Sequence, residues 1–405
     1  MSSRRRQWLV VVALVALALN LRPAAVSVGP VLDELRSALA MGSGMAGFVT
    51  TLPVLCFAGF GGLAPRLARA LGIHRVMLAA LIVTGLGLAG RAVAIDLALF
   101  VVATVPALAG MAAANVLLPS LVKLHFPDRI GLMTAVYTTA LASGLTAGSA
   151  LTVPVAQATG SWRGGLGVWA LLAAVAVVPW LGLVRHDLSA AGQRTTSMRR
   201  LLRSRLAWAT AIFFGIQSLQ AYSVFGWLPQ IYRDAGFSAE SAGLLLTVVT
   251  GTSIPASLVL PRLAVRRPRQ RGLVLALCAC FLGGYLGLLF APGPGAWAWA
   301  LLIGVGTGLF PLVLTLIGLR SRTPETTAAL SGFAQGIGYL LSAAGPVTIG
   351  LVYGATGSWT VPLLILIVLL VPQAATGVIV GTPGYVEDDL APPPGPALVP
   401  ADGAQ

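Results

Sequence analysis

Few residues of this sequence could do chemistry in an apolar setting. They are Arg22 and Asn20, then Asn115, Tyr137, Gln217, Gln220, Tyr222, Phe310, Gln335 and Tyr339, each inside a long hydrophobic run. Arg22 stands out among them. It lies in Leu19-Asn20-Leu21-Arg22-Pro23 and is the one formal charge between Gln7 and Leu32. A helix of that length crosses a hydrocarbon layer ~30 Å thick. A charge near its middle costs ~2.5–3.5 kcal/mol on insertion scales, so it faces protein or a water-filled cavity rather than lipid. Pro23 has no N–H and leaves the Leu19 carbonyl without its helical donor. Two roles are open for Arg22, and both can hold: donor to freed carbonyls, or contact for an anionic group on a substrate.

The amides and phenols extend the argument. Gln217 and Gln220 are three residues apart, and Gln335, Tyr339 and Ser342 follow a four-and-three spacing, so each set is expected to share a helix face. An amide facing lipid is costly, so these faces turn inward. Interhelical hydrogen bonding would account for any one of them. The set as a whole predicts a polar central cavity, with Phe310 as an apolar wall or as core.

Other chemistry finds no support. His74, His125 and His186 sit at the ends of apolar runs, and they make up no enzyme constellation. The pattern Gly304-Val305-Gly306-Thr307-Gly308 lies inside a hydrophobic run, where small residues serve helix packing. Cys56, Cys278 and Cys280 give neither a disulfide framework nor metal-ligand spacing. No catalytic residue, metal or cofactor is expected. The formal charge of +14 would suit a nucleic-acid partner, but the basic residues cluster in short loops between apolar runs, so none is expected.

The elements that must position these residues are membrane helices. Of 405 residues, 57% are hydrophobic and 9% charged, against ~25% charged in soluble domains. Twelve spans are predicted, roughly at 7–32, 44–65, 74–93, 96–122, 130–157, 165–184, 206–232, 240–261, 272–291, 296–319, 326–353 and 359–381. With both termini cytoplasmic, 21 basic residues fall on the cytoplasmic side and four (Arg36, Arg91, Arg163, Arg233) on the other, a strong positive-inside bias. The acids Asp33, Glu34 and Asp234 fall at span ends or in loops, and no carboxylate lies at mid-membrane.

The chain also repeats itself. Pro65-Arg66-Leu67-Ala68 recurs at Pro261-Arg262-Leu263-Ala264, and Ala158-Thr159-Gly160-Ser161-Trp162 at Ala355-Thr356-Gly357-Ser358-Trp359, offsets of 196 and 197. Two six-helix bundles, 1–184 and 206–383, are expected in the same orientation about an axis normal to the membrane. A basic cytoplasmic linker, 185–205, joins them, and a Pro-rich acidic tail, 384–405, is expected to be disordered.

Asn20-Leu21-Arg22-Pro23, the fourth-span stretch Asn115-Val116-Leu117-Leu118-Pro119-Ser120-Leu121-Val122-Lys123, Phe126-Pro127, Tyr137-Thr138 and Trp227-Leu228-Pro229 together resemble the major facilitator group containing the bacterial cyanate and 2-nitroimidazole transporters. The resemblance covers residues 7–381. It implies the all-α twelve-helix fold, a bacterial plasma membrane and a small-molecule substrate. One position departs from the superfamily's loop pattern: Gly61-Gly62-Leu63-Ala64-Pro65-Arg66 carries Pro65 where an Asp is usual, which puts an Asp-based latch in doubt.

The expectation is therefore a monomeric secondary active transporter in a lipid bilayer, working by alternating access on a small anionic or strongly polar solute. Arg22 would be the anion contact, the other nine residues would line the site, and protons stay open as a coupling ion. Efflux of amphipathic or aromatic compounds is the alternative within that class. A non-transporting membrane sensor is the alternative outside it.

Overall fold

The computed structural model describes residues 3–41, 43–184 and 198–390. Its long helices are α1 Ser3–Leu21, α2 Ser43–Gly61, α3 Ile73–Ala92, α4 Leu97–His125, α5 Ile130–Ala158, α6 Trp162–Val184 and α7 Arg205–Asp234. After them come α8 (Ala239–Gly251 and Ser253–Arg266), α9 Arg271–Phe290, α10 (Ala296–Gly306 and Leu309–Leu319), α11 Pro324–Thr356 and α12 Thr360–Val380. Among the described residues there is no strand.

Among the described residues, ten segments are long and apolar enough to cross a membrane, and eleven if the part of α2 from Leu52 is counted with helix Ala64–Leu71, bent 46° from it. The remaining expected span, 206–232, is α7. Its 30 residues suffice in length, but Gln217, Ser218, Gln220 and Ser223 dilute its apolar character. All four are buried, because α7 packs against α11 and α12.

The duplication appears in the packing. In the first half α1 packs on α5 and α6, and α3 on α4 and α6. Six helices later α7 packs on α11 and α12, and α9 on α10 and α12. The principal contacts between halves, α2 with α11 and α5 with α8, exchange under the same shift, as a two-fold relation requires. The repeated Ala-Thr-Gly-Ser-Trp segment makes the same turn twice. Gly160 and Gly357 have φ of 66° and 62°, and Thr159 and Thr356 each donate to the carbonyl two residues on, at 3.2 Å. Glycine is suited to that left-handed backbone.

Proline and small residues shape the first helix. The α-helix stops at Leu21 and resumes over Pro23–Val26. Gly144 and Gly148 of α5 press on the break: a Cβ on Gly144 would stand 2.2 Å from the Leu19 oxygen, and one on Gly148 3.0 Å from the Pro23 Cα. The carbonyl that Pro23 deprives of its donor thus lies under a glycine. Such Gly-x-x-x-Gly contacts are how membrane helices approach closely.

Two expectations change. The acidic tail is ordered at its start: Val386–Leu390 is a short helix, Val386 is buried and its N–H donates to the Arg320 carbonyl at 2.9 Å. Its acids are engaged with protein rather than only with water. Asp389 accepts from Ser204 Oγ at 2.7 Å and Leu206 N–H at 3.0 Å, capping α7, while Asp388 pairs with Arg322 at 2.7 Å. Residues 391–405 and most of the linker 185–205 lie outside the described residues. Arg91, counted among the outer loop charges, is instead buried at the end of α3.

Pro65, at the departure from the superfamily loop pattern, packs on α11. Its Cγ lies 2.6 Å from where a Cβ on Gly332 would stand, so the two halves meet there through apolar contact.

Candidate functional site

A cavity of about 490 Å³ lies between the halves, lined from α1, α2, α5, α7, α8, α10 and α11. Its floor is closed toward the end that carries the basic loops, called the basic end below. There Asn115 of α4 donates to Gln335 of α11 at 2.7 Å, and Ser120 donates to the Pro324 carbonyl at 2.6 Å. Its walls continue toward the far end along Val26, Leu145, Phe225 and Val347.

Arg22 enters this cavity from the break in α1. Its guanidinium carbon is 5.2 Å from the centroid of the Phe310 ring, which belongs to the other half. A cation over an aromatic face is attracted by the ring quadrupole, by ~0.5–2 kcal/mol depending on solvation. The buried Tyr339 hydroxyl faces the guanidinium without a well-formed hydrogen bond. Behind Phe310 the aromatic series continues through Phe214 (6.2 Å between centroids) and Tyr339 to Phe57. Among the described residues that line the cavity there is no Asp or Glu. A planar anion could therefore take two parallel hydrogen bonds from the guanidinium fork while its ring lies on aromatic walls.

Of the ten candidate residues, the structure brings five to the cavity: Arg22, Gln217, Tyr222, Phe310 and Tyr339. The other five lie elsewhere. Asn20 donates to the Ala16 carbonyl at 2.7 Å and to Leu172 of α6 at 3.4 Å, tying α1 to its neighbour. Asn115 and Gln335 form the buried pair beneath the cavity. Tyr137 is wholly buried in the core. Gln220 accepts from the Tyr285 hydroxyl at 2.6 Å and donates to Gln373 at 3.0 Å, so it faces α9 and α12. Spacing put it on one face with Gln217, but three residues turn a helix ~300°, leaving the two side chains ~60° apart. That angle is enough to put one in the cavity and the other in the bundle.

The sequence reading missed Thr138, Ser253, Ser257 and Thr307, which supply most of the remaining polar lining. Ser and Thr in membrane helices commonly bond their own backbone, as Thr138 does to the Thr134 carbonyl at 2.7 Å, so type alone does not distinguish them. At the far rim, Asp234 gathers donors from Tyr353 (2.6 Å), Trp359 (2.7 Å) and Gln230 (2.7 Å). The Tyr353 hydroxyl, first, and then the Trp359 and Gln230 donors hold its carboxyl below the usual carboxylate range.

Comparison with known proteins agrees with this architecture. The chain matches the Major Facilitator Superfamily over residues 8–346. It is 38% identical to the uncharacterized transporter YycB of Bacillus subtilis, covering 94% of each chain. It is 34% identical to the 2-nitroimidazole transporter of Escherichia coli, covering 94% of this chain and 97% of the other. Against the cyanate transport protein CynX of Escherichia coli the identity is 29%, over 85% and 90% of the two chains. Among solved structures, the transporter FucP in its outward conformation superposes with a TM-score of 0.75 at 14% identity, over 92% of this chain and 99% of that one. The twelve-helix plan, the packing that recurs six helices on and the match across most of the sequence all lead to one assignment: the chain belongs to the major facilitator superfamily.

Proposed function

We propose that the protein is a secondary active transporter that carries a small anionic or strongly polar solute across a bacterial plasma membrane by alternating access, with its basic end in the cytoplasm. The observation that carries this reading is Arg22, a guanidinium in the central cavity with an aromatic face beside it and no carboxylate among the described lining residues. The names of two relatives, a nitroheterocycle transporter and a cyanate transporter, agree with a small polarised substrate. The excess of basic residues at one end supports the orientation. With no acid among the described lining residues, any proton coupling would run through rim groups such as Asp234 or through a proton carried on the substrate.

The apolar walls (Val54, Leu141, Leu145, Phe225, Val347) favour a second reading, efflux of aromatic or amphipathic compounds. A thermal-shift screen of purified protein against cyanate, small carboxylates, 2-nitroimidazole and hydrophobic cations separates the two. Stabilisation by anions or nitroheterocycles that disappears in Arg22→Ala supports the first. Stabilisation by hydrophobic cations that survives Arg22→Ala supports the second and removes the first. Uptake into proteoliposomes with the hits then tests transport itself, and binding without flux would revive the sensor.

A further inference from the structure

Lys123 is the one lysine of the chain, and the cavity does not use it. It sits in the last turn of α4, in the first half, and its ammonium crosses to the second half. There it donates to the Gly318 carbonyl at 2.7 Å and to the Ser321 carbonyl. These oxygens end the half-helix Leu309–Leu319 of α10, where the last carbonyls have no helical donors and the helix dipole places negative charge. The platform is itself fixed within the second half. Arg320 donates to the Val380 carbonyl at 2.6 Å and to Gln270, and Arg322 is held by Asp388 at 2.7 Å and, through its N–H, by Glu387 at 2.7 Å. Glu387 also adds a favourable charge near Lys123.

We propose that Lys123 is the gating residue of the basic end: a cation from the first half that caps the carbonyl end of α10 and must let go before the site can open to that side. The half-helix it caps carries Phe310 near its other end, over Arg22. One rigid segment of 11 residues thus touches the first half at both the cavity and the gate. Pro65 on Gly332 and Asn115 on Gln335 close the same end but carry no charge, so Lys123 is the contact whose loss should most change the balance between the two openings.

This inference rests on the alternating-access reading but not on any substrate, so its test adds no ligand. Cys56, Cys278 and Cys280 are replaced by alanine, and spin-label pairs are placed at exposed positions in nanodisc-embedded full-length protein. Leu71→Cys with Arg269→Cys spans the basic end, and Ile95→Cys with Phe290→Cys spans the far end. In Lys123→Ala the basic-end pair should lengthen and the far-end pair shorten, with the ratio of the two populations shifting at least about tenfold, the size expected for losing a charge-assisted hydrogen bond. Lys123→Arg, which keeps a cation with donors, should retain the parent distances, and Lys123→Gln replaces the alanine variant if that one fails to fold. Unchanged distances in the neutral variant would overturn the proposal. So would lengthening at the basic end alone, which marks local loosening rather than a gate, or the same shift in Lys123→Arg. Failure of the anion reading at Arg22 would leave these distances as predicted.

Discussion

Arg22 and Arg91 both meet the break in α1, and they are used in opposite ways. Arg91 is fully buried. It donates to Thr104 Oγ1 at 3.0 Å and to the Ala24 carbonyl at 2.6 Å, with Phe100 5.9 Å from its guanidinium carbon. Ala24 lies in the short turn of helix after the break in α1, so Arg91 supplies a donor there and braces the bend from behind. Arg22, two residues earlier in the chain, stands on the cavity side with an aromatic face and a phenol as its neighbours. A buried charge with its donors matched to carbonyls is structural. A charge left facing a cavity has donors available for a ligand. The two residues share one local backbone feature, and what separates them is which side of it they occupy.

That contrast can be broken by experiment. Arg22→Ala should lower substrate affinity by ~30- to 4,000-fold, corresponding to ~2–5 kcal/mol, with the melting temperature in detergent little changed. Arg91→Ala should do the reverse, removing ~3 kcal/mol of stability while the folded fraction binds normally. Measuring melting temperature and affinity on the same preparations decides it; equal effects on both quantities in both variants would erase the distinction.

Gly144→Ala should lower both at once. The new methyl meets the Leu19 oxygen at 2.2 Å, so α1 must shift, costing ~1–3 kcal/mol and moving Arg22 from its place. Gln217→Ala and Gln220→Ala repeat the contrast on a smaller scale. The first should weaken binding by ~0.5–1.5 kcal/mol, and the second should reduce stability by a similar amount without touching affinity. A fall in affinity for Gln220→Ala would return that residue to the site.

The smallest effect concerns pH at the far rim. Asp234 lies two residues past the apolar stretch 206–232, and its carboxyl is held low chiefly by the Tyr353 hydroxyl. A carboxyl depressed in the folded state adds stability above its unfolded pKa of ~3.9 and loses it as pH falls through the lower folded value. Melting curves should therefore show a slight acid-side loss below about pH 4 that Asp234→Asn lacks. If Asp234→Asn abolished proton-driven uptake instead, the carboxylate would be part of coupling and not only a rim tie.

The sequence disclosed the fold in large part because its signals are additive along the chain: apolar run length, loop charge and a repeat offset each survive local error. The site is read from single side chains, and there the reading divides. Arg22 was legible because a charge in a hydrophobic run has few permitted environments. Asn20, Asn115, Gln220 and Gln335 meet the same criterion of a polar group that must turn inward, and inward proves to mean a neighbouring helix or the seam between the halves. Periodicity fixes a face to within ~60°, and that is the angle between cavity and bundle. Arg91 was misread for the opposite reason. Its place near a span end suggested a solvated loop charge, and only the packing of α3 against α4 shows it enclosed.

The lack of any carboxylate beside Arg22 among the described residues has an electrical consequence. On the proposed cycle an empty site carries a positive charge through part of the membrane field, whereas a site holding a monovalent anion moves nearly neutral. A full unit charge crossing the whole field is worth ~2.3 kcal/mol per 100 mV, so the voltage would act chiefly on the empty carrier's return. Exchange of one anion for another would be electrically silent, and net transport would produce a current. In solid-supported-membrane recordings that current should disappear when substrate is present at saturating levels on both sides.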